Sequence, residues 1–154
     1  MNLFVKELPA EILIDGEPYG FHTDFRVWMR FCDLFEKWDQ ETDLRIDFIF
    51  PGRIPALQTT EDLQAILDFA YPRSEVPKSP GGAGGRILDY MIDGDYIFGA
   101  FLGQYGIDLT EADLHWHKFY ALLRGLNKGT RLHEIMGYRS YEGPDKEYIR
   151  LRNM

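Results

Sequence analysis

Three histidines, His115, His117 and His133, share the second half of the chain with Asp93, Asp95 and Asp108, and imidazole with carboxylate is the donor set of a zinc-type site. The spacing works against it. His115 and His117 fall two apart in a segment with helical periodicity, where i and i+2 point about 200° apart, whereas a helical metal pair needs three or four. Asp89, Asp93, Gly94 and Asp95 have carboxylates in a short run but lack the alternating ligands and closing glutamate of a calcium loop, so they read as helix-start residues. Gly81-Gly82-Ala83-Gly84-Gly85-Arg86 has glycines enough for a phosphate loop, but no Lys-Ser or Lys-Thr follows and the dinucleotide spacing is wrong. Cys32, the single cysteine, sits among Trp28, Phe31 and Phe35 and reads as a small core residue. No catalytic, cofactor or metal residue is assigned, and the chain is expected not to be an enzyme.

Binding is the stronger expectation. Tyr96, Tyr138, Tyr141 and Tyr148 with Arg124, Arg131, Arg139 and Arg150 are the residue types enriched at protein interfaces, and they lie in the second half. Tyr96, Arg124, Arg131, Tyr138, Arg139, Tyr141 and Tyr148 are the candidate partner-binding residues. The charge distribution agrees with that placement. The formal charge is −8, and all the excess lies before residue 78. An acidic chain repels a phosphate backbone, so nucleic-acid binding is not expected, and the neutral second half offers the better contact face.

The elements that must position these residues follow from pattern. At 154 residues and 45% hydrophobic content, one domain spanning 1–154 is expected. No apolar run approaches a membrane span and the N-terminus has no signal-peptide pattern, so a cytoplasmic protein with no membrane partner is expected. Short apolar stretches around Asp15-Gly16 predict a β-hairpin over 10–22. Thr23 or Asp24 caps a helix carrying Phe25, Trp28, Phe31, Cys32, Phe35 and Trp38 to about Asp39, expected to pack on the hairpin. Residues 42–57 fit a short helix or an extended segment, with the helix preferred. Thr59 with Asp62, or Thr60 with Gln64 nearby, opens a helix that ends at Tyr71-Pro72. Residues 72–85 hold three prolines and four glycines and form an internal loop. A helix then runs from about Asp89 or Tyr90 to Tyr105, with Gly106 as its left-handed cap. Thr110 with Asp113 starts the next, which carries Trp116, Phe119, Tyr120 and Leu123 to Gly125. Thr130 opens a shorter one closed at Gly137, and Gly143-Pro144 precedes a last one. The fold class is mainly α (α+β), an N-terminal β-hairpin packed on a bundle of about five to six helices.

The run Asp93-x-Asp95-x-Ile97, Phe101-x-x-x-Tyr105-Gly106-Ile107-Asp108-Leu109, Leu114-His115-Trp116 and Ile135-Met136-Gly137-Tyr138-Arg139, with Tyr19-x-Phe21-x-Thr23-Asp24-Phe25-Arg26 at the start, resembles the bacteriophage gene-product-fifteen family. His117 stands where the family pattern implies another aromatic. The resemblance implies a tail assembly chaperone of long-tailed phages. Such a protein coats and solubilises the tape measure protein in the host cytoplasm, is displaced by tail tube protein, and self-associates in some arrangements. A structural tail or connector component retained in the virion is the alternative that the resemblance leaves open.

Overall fold

The computed structural model describes residues 8–72, 88–127 and 129–140, without the side chains of residue 133 and residues 137–140. The described residues form a two-stranded antiparallel hairpin, β1 (Glu11–Ile14) and β2 (Glu17–Gly20), and five α-helices. These are α1 (Phe25–Glu36), α2 (Thr60–Ala70), α3 (Gly94–Tyr105), α4 (Trp116–Arg124) and α5 (Arg131–Ser140). The mainly α class with a small hairpin therefore holds. The chain forms two compact units, the first made of residues 1–81 and 113–120 and the second of residues 82–112 and 121–154.

In the first unit the hairpin turns on Asp15 and Gly16, both at positive φ (53° and 78°), the geometry that a two-residue turn demands of its central pair. Pairing of Ile14 with Glu17 and Leu13 with Pro18 follows from that turn. Arg53 braces β2: its guanidinium bonds Glu17 (2.8 Å) and the Pro18 carbonyl (2.9 Å) and lies 4.2 Å above the Tyr19 ring. The hairpin's main neighbour is α2, not α1 as the sequence suggests. The link to α1 is made just past the strands, where Phe21 meets Trp28 at 5.5 Å.

The aromatic stripe of α1 is the heart of this unit. Phe25, Trp28, Phe31, Cys32 and Phe35 are all buried, and Trp28 contacts Phe21, Phe31 and Phe69 while its indole N–H donates to the His22 carbonyl at 2.6 Å. Asp24 caps α1 by accepting from the Arg26 N–H, and Thr59 with Asp62 forms the capping box of α2. Cys32 is fully buried and burial pushes its thiol up, so the thiolate that nucleophilic chemistry requires is suppressed. Residues 42–57 are not the expected helix; they hold only a single 3-10 turn, Asp47–Ile49. Prolines at 51 and 55 remove the donors a longer helix needs, and Ile46, Ile49 and Phe50 are buried without it.

In the second unit α3 starts later than expected. Residues 89–92 form a turn in which the Asp89 carboxylate accepts from the N–H groups of Met91 and Ile92, and Asp93 accepts from the Asp89 N–H. Asp89 thus ties the turn ahead of α3, whereas Asp93, at the N-cap position, makes no side-chain cap bond to the helix and serves the Asp89 N–H instead. Gly106, at φ 68°, caps α3 as expected. Near Gly125, Tyr105 donates its hydroxyl to the Leu122 carbonyl at 2.6 Å, and a Cβ on Gly125 would sit 3.0 Å from that hydroxyl. Gly125→Ala is therefore expected to displace the phenol and cost about 1 kcal/mol, the worth of one hydrogen bond. A urea midpoint lowered in Gly125→Ala, but not lowered further by adding Tyr105→Phe, checks that cause.

Two boundaries need correction. Thr110 and Asp113 do not start α4; Asp108 instead accepts from the Thr110 N–H and hydroxyl, which holds its carboxyl below the usual range and ties a separate turn. The α5 backbone also runs past Gly137 to Ser140. The loop at 72–85 from residue 73 onward, and the helix expected after Gly143-Pro144, lie outside the described residues.

Candidate functional site

The histidine pair belongs to the scaffold of the first unit. A short antiparallel bridge joins Asp24 and His115, with hydrogen bonds from Trp116 N–H to Thr23 (2.7 Å) and from Phe25 N–H to Leu114 (3.1 Å). This aligns the starts of α1 and α4. His115 then caps α4 with its ring: Nδ1 accepts from the His117 N–H at 3.0 Å, so the proton lies on Nε2, which donates to the Pro9 carbonyl at 2.7 Å. His117 stacks on Phe69 at 4.4 Å and 28°, and donates from Nε2 to the Phe69 carbonyl at 2.9 Å. It fills an aromatic position with a ring that also ties down a carbonyl. Trp116 does the same next door, with its indole N–H on the Ala70 carbonyl at 2.9 Å. Among the described residues, no group of three or more His, Cys, Asp or Glu is placed to hold a metal ion.

Burial lowers the pKa of both rings from the usual histidine value, and the Nδ1 of His117 is buried with no hydrogen-bond partner. A depressed folded pKa means the unfolded chain binds protons more tightly. Stability from this pair is therefore complete above the unfolded value of about 6.5 and is lost as pH falls toward the folded values. Thermal melts should show the midpoint falling from pH 7.5 to 5.5, and His115→Gln/His117→Phe should flatten that slope. An unchanged slope in the double variant would assign the acid sensitivity elsewhere.

The second unit carries a different kind of site, a groove of about 510 Å³ along α3. Its α3 side is Asp95, Tyr96, Gly99, Ala100, Gly103 and Gln104; the opposite side is Asn127, Gly129, Thr130 and Arg131. Gln104 sets the spacing by donating to the Gly125 carbonyl (3.0 Å) and accepting from the Asn127 N–H (2.6 Å). Arg131, at the start of α5, pairs with Glu134 at 2.7 Å.

The sequence of α3 makes this groove unusual. Ile97, Ala100 and Phe101 are buried, as an amphipathic helix requires. Apart from Asp95 and Gln104, its outer surface carries apolar side chains and glycines: Tyr96 and Leu102 are 39% and 46% exposed, and Met91 and Ile92 in the preceding turn are 52% and 67% exposed. Gly99 and Gly103 lie one turn apart on the groove side, and a Cβ at either would meet nothing within 4 Å. Each interior helical glycine costs about 1 kcal/mol relative to alanine, and here no packed neighbour within the described residues accounts for it. An apolar face with glycines at its centre lets another backbone approach closely.

Two of the candidate partner-binding residues, Tyr96 and Arg131, meet in this groove. Arg124 is exposed at the end of α4 and is not part of the lining. Tyr138 and Arg139 belong to the α5 backbone, with side chains outside the described residues; Tyr141, Tyr148 and Arg150 lie outside them altogether. Sequence reasoning missed Gly99, Gly103, Gln104, Asn127 and Thr130. The signal available was the pair of glycines four apart inside an apolar helical stretch.

The family model described as Bacteriophage Gp15 protein matches residues 4–153. No curated protein and no solved structure matches the chain. No helix among the described residues is long and apolar enough to cross a membrane.

Proposed function

The chain belongs to the bacteriophage Gp15 protein family, and from that premise we propose that it is a tail assembly chaperone whose α3 groove holds apolar helical segments of the tape measure protein. The observation that carries this reading is the open glycine face of α3 beside exposed Tyr96 and Leu102. A tape measure protein is long and helical, and its apolar faces need cover until the tube encloses it. A groove floored by glycine admits a helix backbone, while Tyr96 and Arg131 supply the aromatic and guanidinium contacts that anchor interfaces.

The role is non-catalytic. Many copies binding weakly along one partner give high avidity, yet each contact can be displaced singly by tail tube protein. The formal charge of −8 keeps such a coated filament from aggregating in the host cytoplasm. Self-association along the partner is compatible with this arrangement.

Quantitative mass spectrometry of purified virions, set against the infected-cell lysate, tests the reading. The chain should be abundant in the lysate and absent from the particle. A fixed number of copies in every virion would make it a structural tail or connector component instead.

A further inference from the structure

We propose that the first unit carries a second docking site, a groove between the Trp38–Ile46 segment and the start of α2, whose occupant is a basic amphipathic segment of a protein partner. The groove encloses about 500 Å³, within the roughly 300–1,000 Å³ of ligand clefts, and Trp38, Leu44, Ile46, Leu57 and Leu63 give it apolar walls. The Trp38 wall is held in place. The Trp38 indole N–H donates to the Thr42 carbonyl at 2.8 Å, and the Asp39 carboxylate closes the intervening loop by accepting from the N–H groups of Glu41 (3.0 Å) and Thr42 (3.3 Å). Leu57 is 37% exposed, and Ile54 beyond it is 51% exposed, so the apolar surface continues past the groove.

Charge identifies the occupant. Asp43 lines the groove and none of its lining residues is basic. Asp39 and Glu41 are exposed in the loop that joins two lining residues, and Glu61 is exposed in the first turn of α2. The Asp39 carboxyl is held below the usual range by the Glu41 N–H, so it stays charged. The partial positive charge of the α2 N-terminus is already met by the buried Asp62 carboxylate, which accepts from the Gln58 and Thr59 N–H groups, and by Thr59. Lys37, the cation before the loop, is paired with Asp33 at 2.6 Å; Arg45 is exposed between Leu44 and Ile46 but does not line the groove. Apolar walls under a rim of carboxylates match an amphipathic segment whose leucine-type side chains enter and whose lysines or arginines meet the rim. This site is separate from the α3 groove and does not rest on the chaperone reading.

The test is a nuclear magnetic resonance titration of the ¹⁵N-labelled full chain with a synthetic amphipathic Leu/Lys helical peptide, with a Leu/Glu peptide of equal length beside it. The Leu/Lys peptide should shift the Trp38 indole signal and the amides of Leu44, Leu57 and Leu63, and the Leu/Glu peptide should not. Asp43→Lys/Glu61→Lys should weaken binding about tenfold or more, while Glu11→Lys/Asp113→Lys, the same charge change elsewhere in the first unit, should change it about twofold at 0.15 M salt. All four positions are exposed, so the fold is retained in both variants. Equal losses in the two variants, shifts spread over the whole acidic surface, no binding, or self-association mapping to the same residues would each overturn the proposal. Tape measure binding through α3 would be untouched by any of these outcomes.

Discussion

Trp28→Ala is expected to be the most destabilising single change in the chain, at about 3–5 kcal/mol. Trp28 is fully buried, and its ring joins Phe21 from beyond the hairpin, Phe31 from α1 and Phe69 from α2. Truncation removes contacts from three segments and leaves the His22 carbonyl without its indole donor. A single domain has only about 5–15 kcal/mol of stability, so the loss is a large fraction of the whole and should move the urea midpoint far down. Trp28→Phe separates the two causes: the ring volume is largely kept while the hydrogen bond is lost, and the cost should fall to about 1–2 kcal/mol. Urea denaturation followed by circular dichroism measures both. Equal midpoints for wild type and Trp28→Ala would mean that this aromatic cluster does not hold the first unit together.

The second large effect is on binding, with the opposite sign on stability. Gly99→Ala and Gly103→Ala should each stabilise the protein by about 0.5–1 kcal/mol, because both positions are helical and open to added atoms. Gly99→Leu/Gly103→Leu should fold as well as wild type and yet fill the groove, lowering affinity for the tape measure protein by about 100-fold or more, some 3 kcal/mol. A folding defect cannot mimic this, since the variants gain helix propensity while losing the partner. Thermal melts and a pull-down on the same preparations give both readouts. Full binding by a stable double leucine variant would remove the groove from the account.

Local chemistry was legible wherever one residue type at one position determines the backbone. Asp15-Gly16, Asp24, the Thr59–Asp62 box and Gly106 each perform the turn or cap that their identities imply. Thr110 and Asp113 show the limit of that reasoning. The same oxygen-bearing residues serve a turn closed by Asp108 as readily as a helix start, and His115 took the cap of α4 because the bridge to Asp24 places its ring there. Residues 42–57 resisted because their burial depends on tertiary contacts rather than on a period.

The candidate site was partly legible for a similar reason. Tyr96 and Arg131 could be chosen by residue type, but Arg124 has the same chemistry and stands outside the groove. Lining is decided by how Gln104 pins the segment after Gly125 to α3, a contact spanning 21 residues. Gly99 and Gly103 were visible as letters, but whether a glycine face is filled or open depends on what packs against it. The histidines illustrate the converse: His115 and His117, prominent as possible ligands, bond backbone carbonyls, and His117 stacks on Phe69 while His115 meets the same ring edge-on.

Co-expression with the tape measure protein tests the central claim most directly, with the soluble fraction of the partner and its co-elution with the tagged chain as the measurement. The partner should become soluble and co-elute with several copies of wild-type chain, and Gly99→Leu/Gly103→Leu should abolish both effects. A partner that stays insoluble and unbound beside abundant, folded wild-type chain would contradict that claim.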